Sequence, residues 1–148
     1  MKKTPSIRNR LQELGVAAVY LFGSRAQDLH RSDSDFDIGI LLEKSQDPAL
    51  LGREANSKSL RSINKSGDIY QDLYELFSDF YRTMSDIDIV FLRETTGQLR
   101  YHVVKNGKIL FDLNPKMRHQ FEELTILEHA DFESHRKLFE KHLLNSIP

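Results

Sequence analysis

Three aspartates stand where apolar runs of the sequence begin: Asp35 and Asp37 open one run, and Asp88 opens another. Side chains alternate along a strand, so Asp35 and Asp37 share a face, and Asp88 joins them if its strand lies alongside. Carboxylates this close stay ionised when a cation lies among them. Mg²⁺ prefers such oxygen ligands and commonly shares its shell with substrate phosphates. The three residues predict a magnesium site, with Asp86, two residues before Asp88, as the competing third ligand.

A second group of residues is suited to phosphate. Gly23 and Ser24 follow the buried apolar run Val16 to Phe22. Glycine permits a tight turn with close backbone approach, and turn amides together with the Ser24 hydroxyl can hold phosphate oxygens. Arg25 could reach a phosphate as well. The chain has neither a GxxxxGK[ST] loop nor a GxGxxG fingerprint, so neither of those nucleotide sites is supported.

Strands and helices alternate along the chain. Apolar runs predict four strands. Helical spacing and capping residues predict the helices between them, including one that starts at Asp47-Pro48 and continues to Lys65, where Ser66-Gly67-Asp68 interrupts the helical region. The predicted strands are 16–22, 36–42, 87–92 and 109–111. One predicted helix ends at Gly15, and another includes Leu73, Leu76, Phe77 and Phe80. A further helix is predicted to span 97–106, and the C-terminal region is predicted to be helical. This order predicts an α/β (α+β) fold with a small mixed β-sheet flanked by helices.

Composition narrows the possible classes. The 148 residues carry 21 Lys and Arg against 22 Asp and Glu, so no basic surplus points to direct nucleic-acid binding. There is no cysteine, which excludes disulfides and thiolate metal sites. No apolar segment has the length of a membrane span, so we expect a cytoplasmic protein. The length suggests a single domain, 1–148, with a helical C-terminal extension at about 115–148.

The apolar residues of that C-terminal region admit two interpretations. They are sparse, and acidic and histidine residues interrupt them; the stripe consists of Phe121, Leu124, Phe132, Leu138 and Leu143. The stripe either completes the core or docks a partner.

A family resemblance follows from the order of these motifs. Gly-Ser, ten residues, Asp-x-Asp and a later strand acid resemble the nucleotidyltransferase superfamily of the DNA polymerase β type. The successive segments YLFGSRA, SDSDFDIGILL, DIDIVFLRE and LRYHVVKNGKILFD are similar to the minimal nucleotidyltransferases, the MNT antitoxins of MNT–HEPN toxin–antitoxin pairs. The resemblance covers roughly residues 19–112. The chain departs from the smallest members in its long stretch 43–85 and in Gly39 inside a strand, which weakens that strand or leaves room for a close neighbour.

The resemblance implies the polymerase β-like fold and a set of roles. By it, Gly23 and Ser24 bind phosphate, while Asp35, Asp37 and Asp88 are the catalytic and metal-binding carboxylates. Two Mg²⁺ ions and ATP as substrate are implied, as is transfer of AMP to a tyrosine of a HEPN ribonuclease toxin, the partner that this antitoxin would neutralise.

Three other functions compete with that of an AMP-transferring antitoxin. The chain could neutralise its partner by binding alone, or it could modify a small molecule or an RNA end. The signature of a HEPN ribonuclease is an arginine followed, after four to six residues, by a histidine. Arg25 to His30 and Arg136 to His142 both match this spacing. That class is all-helical, whereas strands are predicted in the N-terminal half of this chain, so we set it aside.

Overall fold

The computed structural model of the protein describes residues 6–23, 35–43, 59–81 and 86–145, and the side chains of 59–68 are not described. The described elements are, in chain order, α1 (Ile7–Glu13), β1 (Val16–Phe22), β2 (Phe36–Leu42), α2 (Ser59–Tyr81), β3 (Ile87–Phe91), a 3₁₀ turn (Leu92–Glu94), α3 (Gly97–Asn106), β4 (Lys108–Asp112) and α4 (Pro115–Asn145). Of the described helices, none combines the length and the apolar character that crossing a membrane requires.

The four strands form one mixed sheet in the order β3-β2-β1-β4. β1 is antiparallel to β2 and to β4, and β2 is parallel to β3. The end of β1 and the beginnings of β2, β3 and β4 therefore lie along one edge of the sheet, which we call the front edge. This architecture confirms the predicted α/β class with a small mixed sheet.

The two faces of the sheet carry separate apolar clusters. On one face, even-numbered residues of β2 such as Phe36 and Ile38 pack with Leu73 and Phe77 of α2. The other face packs against α3 and α4 through residues that include Leu41. Strand alternation places the side chain of Asp37, which is partly buried, on the α3/α4 face at the front edge.

Two details of the predicted elements are corrected. The predicted break at 66–68 is wrong, because α2 runs unbroken through it. A glycine inside a helix costs only about 1 kcal/mol relative to alanine, which the packing of Leu73 and Phe77 farther along α2 can offset. The third strand, predicted to end at Leu92, ends one residue earlier, at Phe91. Leu92 begins the 3₁₀ turn, and its side chain is buried. A Cβ on Gly39 would lie 2.9 Å from Leu92 Cδ2, so this glycine leaves room for a close neighbour.

The start of α4 is fastened to the sheet by a polar network. The Tyr20 hydroxyl donates to Glu122 Oε1 at 2.7 Å, and Arg118 pairs with Glu122 and Asp112 at 3.0 Å each. Burial, followed by the hydrogen bond to Glu122, raises the pKa of Tyr20, and the hydrogen bond to Asp112 raises the pKa of Arg118. Both shifts move these groups further from titration near neutral pH, where the phenol is neutral and the guanidinium is charged.

The apolar stripe of α4 is mostly outside the core. Phe121 is buried, but the other four members of the stripe are half or more exposed: Leu124, Phe132, Leu138 and Leu143. The interpretation of the whole stripe as core is therefore wrong, since only its first residue faces the sheet.

Candidate active site

The front edge brings two of the predicted carboxylates side by side. In the sheet register, Asp37 of β2 lies opposite Phe22 of β1 on one side and opposite Asp88 of β3 on the other. Asp35 directly precedes β2 and is exposed, as is Asp88, whereas Asp37 is partly buried. Asp37 is thus the central member of the set, flanked by the end of β1 and by the start of β3.

The electrostatic surroundings of Asp37 oppose its ionisation. Burial raises the pKa of the Asp37 carboxyl, and the charges of Asp88 and Asp35 raise it further. Each of these causes acts in the same direction, and no basic group of the described residues counteracts them. A carboxylate in such surroundings gains most from a bound cation, because the cation reverses the effect of both like charges.

Gly23 leaves the space that the Asp37 carboxylate occupies. Its φ is +73°, in the region that favours glycine. A Cβ built on Gly23 would overlap Asp37 Oδ2 and lie 3.2 Å from Asp37 Cγ. Sequence reasoning assigned this glycine to a turn near phosphate; the structure adds a direct steric link to a carboxylate. Ser24 and Arg25, the other predicted phosphate contacts, lie outside the described residues.

Asp86 and Asp88 differ in their relation to Asp37. The Asp86 backbone carbonyl accepts a hydrogen bond from the Phe36 amide at 3.0 Å, which ties the start of β2 to the segment before β3. Its side chain is exposed, and it is not among the charges that raise the pKa of Asp37, whereas Asp88 is. The register therefore brings Asp88 closer to the central carboxylate.

The carboxylates do not by themselves enclose an ion. Within the described ranges, no three acidic or histidine side chains converge as a ready-made metal site. Magnesium commonly keeps several waters and is held by only one or two carboxylates together with substrate phosphates. The donor set of Asp35, Asp37 and Asp88, all hard oxygen ligands, fits that mode of binding.

An aromatic stack that sequence reasoning missed lies on the opposite face, under the carboxylates. The ring of Phe36, between Asp35 and Asp37, stacks on Tyr81 with 4.1 Å between ring centroids. The signal was present, because Tyr81 follows Leu73 and Phe77 at intervals of four residues. The adjacent Phe80 is 48% exposed and meets Tyr81 edge-on.

The Asn106-Gly107 turn brings the end of α3 against β1. A Cβ on Gly107 would overlap the Val103 carbonyl oxygen and lie 3.3 Å from the Leu21 carbonyl oxygen. Leu21 is two residues before Gly23, so this close approach of two backbones supports the front edge from the β4 side.

Comparison with solved structures identifies the fold. The chain is similar to a toxin–antitoxin solved with AMP-PNP, at 22% identity and a TM-score of 0.58, over 93% of this chain and 98% of that one. It is similar to the toxin–antitoxin MntA–HepT, at 21% identity and a TM-score of 0.54, over 95% and 99%. It is also similar to a complex of tri-AMPylated Shewanella oneidensis HEPN toxin with MNT antitoxin, at 22% identity and a TM-score of 0.53, over 93% and 96%. These likenesses confirm the predicted polymerase β-like fold.

Sequence comparison establishes the family. No curated protein matches the chain significantly. Residues 6–116 match the family described as Polymerase beta, Nucleotidyltransferase, a span that includes all four strands and every predicted site residue. Because this match covers most of the chain, the protein belongs to the polymerase β nucleotidyltransferase family.

Proposed function

We propose that this nucleotidyltransferase is Mg²⁺-dependent and transfers AMP from ATP to a tyrosine hydroxyl of a HEPN-type toxin, thereby acting as its antitoxin. The observation that carries the proposal is the placement of Asp37 beside Asp88 and against Gly23 at the front edge. Structures of the same fold support the donor and the acceptor, since one was solved with AMP-PNP and another contains a tri-AMPylated HEPN toxin.

A further solved structure of the same fold carries substitutions at a pair of aspartates. It is a mutant of a toxin–antitoxin complex in which two aspartates, two positions apart, are replaced by glutamate. Asp35 and Asp37 have the same spacing.

The proposed roles follow from where each side chain lies. Asp35 and Asp37 would hold Mg²⁺, and Asp88 would add a ligand from the neighbouring strand. Bound Mg²⁺ would polarise the α-phosphate, neutralise charge on the leaving group and lower the pKa of the acceptor hydroxyl. Gly23 lets the donor phosphates approach the backbone at the end of β1, where Ser24 and Arg25 are proposed to contact them.

The proposed reaction is an in-line displacement. The tyrosine oxygen forms a bond to the α-phosphorus of ATP, the bond from that phosphorus to the bridging oxygen of the β-phosphate breaks, and pyrophosphate leaves. The hydroxyl proton passes to solvent or to the nearby Asp88 carboxylate. AMP on the toxin adds a bulky negative group, which would repel an RNA substrate.

The test uses the purified protein, Mg-ATP and any HEPN-type protein that a neighbouring gene is found to encode. Intact mass spectrometry should show AMP additions on the partner, and none with the double variant Asp35→Asn/Asp37→Asn. A matched control, Asp131→Asn, removes an exposed acid of α4 and should leave transfer unchanged. Absence of AMP on an active partner would contradict the proposal.

The same double variant separates catalysis from binding. If it still protects cells from the toxin, neutralisation proceeds by binding alone. If labelled AMP from ATP appears on an aminoglycoside or on tRNA instead of on the toxin, the acceptor is a small molecule or an RNA end.

A further inference from the structure

The strand that carries Asp88 has two registers against β2 that keep each of its side chains on the same face of the sheet. Asp86 and Asp88 are two residues apart, and side chains along a strand alternate with a period of two. A slip of one residue would turn Asp88 to the other face, whereas a slip of two residues would bring Asp86 opposite Asp37. The alternation along β3 therefore excludes the first slip but not the second.

The pairing of the two strands does not by itself distinguish these registers. In the observed register, Ile89 lies opposite Ile38. After a slip of two residues, Ile87 would take that place, so an isoleucine would still pack beside Ile38. The hydrogen bonds of a parallel ladder are evenly spaced, so a ladder of the same kind can form after the slip. A contact outside the ladder must select the observed register.

Leu92 supplies such a contact on the face that carries Asp37. Its side chain is fully buried and lies over Gly39, two residues after Asp37 in β2. A Cβ on residue 39 would lie 2.9 Å from Leu92 Cδ2 and 3.4 Å from Leu92 Cγ. The absence of a side chain at Gly39 thus leaves a hollow in the face of β2, and Leu92 fills it.

The turn after β3 holds Leu92 in place. The Thr95 hydroxyl donates to the Leu92 carbonyl oxygen at 2.8 Å, and the Thr95 amide donates to the same oxygen at 3.4 Å. Arg100 donates to the Thr95 carbonyl oxygen, which attaches the turn to α3. Because Leu92 follows β3 directly, its position over Gly39 determines which residue of β3 lies opposite Asp37.

We propose that Gly39 and Leu92 are positioning residues, which select Asp88 rather than Asp86 as the carboxylate beside Asp37. A slip of two residues would move β3 by about 6.6 Å along β2 and take Leu92 out of the hollow. The catalytic consequence rests on the proposed function, in which Asp88 is the third carboxylate, whereas the register can be measured without catalysis.

The charge of Asp88 also opposes the slip. The slip would move Asp88 to the place of Val90, which lies opposite Gly39 and packs against the apolar cluster of that face. An ionised carboxylate there would lose hydration without gaining a partner. The two contributions are separable, because Asp88→Asn removes the charge and leaves Leu92 over Gly39.

The register is measured by nuclear Overhauser contacts between the backbone protons of β2 and β3. In the wild type and in Asp88→Asn, residue 37 should contact residue 88. In the double variant Gly39→Val/Asp88→Asn, residue 37 should contact Asp86 instead, because the valine side chain fills the hollow and displaces Leu92.

The rate of AMP transfer is measured in the same variants. Asp88→Asn alone should lower kcat/KM about 100-fold, and Gly39→Val/Asp88→Asn should recover at least about tenfold of that loss, because Asp86 then takes the position of the third carboxylate. Adding Asp86→Asn should remove the recovery. A purely structural role of Gly39 predicts a further loss of activity in the double variant rather than a gain.

Two more variants make the test independent of the stability of the fold. Leu92→Ala/Asp88→Asn empties the hollow without adding bulk, so it should also show the contact between residue 37 and Asp86, and it decides the matter if the valine variant does not fold. Leu73→Val/Asp88→Asn is the control. Leu73 is fully buried on the opposite face, so this variant should keep the contact with residue 88 and recover no activity.

The outcomes that contradict the proposal are distinct from those that contradict the proposed function. Contact of residue 37 with residue 88 in both the Gly39→Val and the Leu92→Ala double variants would show that other contacts set the register. A slipped register without recovery by Asp86 would show that the register does not choose the catalytic carboxylate. Full activity of Asp88→Asn alone would instead contradict the proposed role of Asp88, and with it the catalytic consequence of the register.

Discussion

Replacing Gly23 by alanine should distinguish the effect of the Asp37 carboxylate's position on catalysis from the effect of the substitution on the stability of the fold. At φ +73°, an alanine costs about 1–2 kcal/mol in backbone strain. For a chain of this size that lowers Tm by about 3–6 °C. The new methyl group would also overlap Asp37 Oδ2, so the carboxylate must move by about 1 Å, a misplacement that can cost 10²-fold in rate. We expect kcat/KM for AMP transfer to fall about 100-fold.

Gly15→Ala is the matched control for that experiment. Gly15 has nearly the same backbone conformation, with φ +78°, but it lies at the other end of β1, between α1 and the sheet. Its variant should lose a similar amount of Tm and less than twofold in kcat/KM. Equal losses of activity in the two variants, or full activity of Gly23→Ala, would refute the steric link between Gly23 and the Asp37 carboxylate.

The remaining predictions concern the same edge of the sheet. Asp88→Asn should reduce kcat/KM for AMP transfer at least 100-fold and Asp86→Asn less than fivefold; the reverse order would make Asp86 the third ligand. Because the pKa of Asp37 is raised, the folded chain holds that proton more tightly than the unfolded chain, so stability falls as pH rises from the ordinary carboxyl pKa through the raised one. In thermal melts without Mg²⁺, the Tm of Asp37→Asn should therefore lie above that of the wild type at pH 7 and equal it below about pH 4. A Tm of the variant below that of the wild type at pH 7 would contradict this sign. Tyr81→Leu, which removes the stack on Phe36, should raise the Mg²⁺ concentration for half-maximal rate more than Tyr81→Phe, which keeps the ring; identical Mg²⁺ curves would exclude a positioning role. Gly107→Ala should lower Tm by about 5 °C or more, since its methyl group meets two backbone carbonyls, and an unchanged Tm would show that the turn can move away from β1.

Local patterns predicted the strands well because their cause is local. Runs of apolar residues placed β1 and β2 at the bounds that the structure shows, and alternation along the second run predicted that Asp35 and Asp37 share a face. The family motif depends on the same short segments, so the candidate site could be predicted from the sequence alone.

Tertiary packing decided what the sequence pattern left open. Nothing in the spacing of Asp86 and Asp88 tells which one pairs with Asp37, because the parallel register sets that choice. The glycine at position 67 argued for a helix break, but packing elsewhere on α2 outweighs its propensity. The stripe of α4 has helical spacing whether or not anything covers it, so periodicity could not separate core from exposed surface.

The parallel pairing of β2 with β3 has a consequence for how the protein acquires its activity. β1 and β2 form a contact between neighbouring strands, whereas Asp88 arrives from a strand roughly fifty residues farther along, and such distant pairings form late in folding. A partly folded chain would thus present Gly23 and Asp37 without Asp88. Under the proposed mechanism, each turnover would therefore report a completed sheet, and bound nucleotide and Mg²⁺ would act as ligands that draw β3 into place.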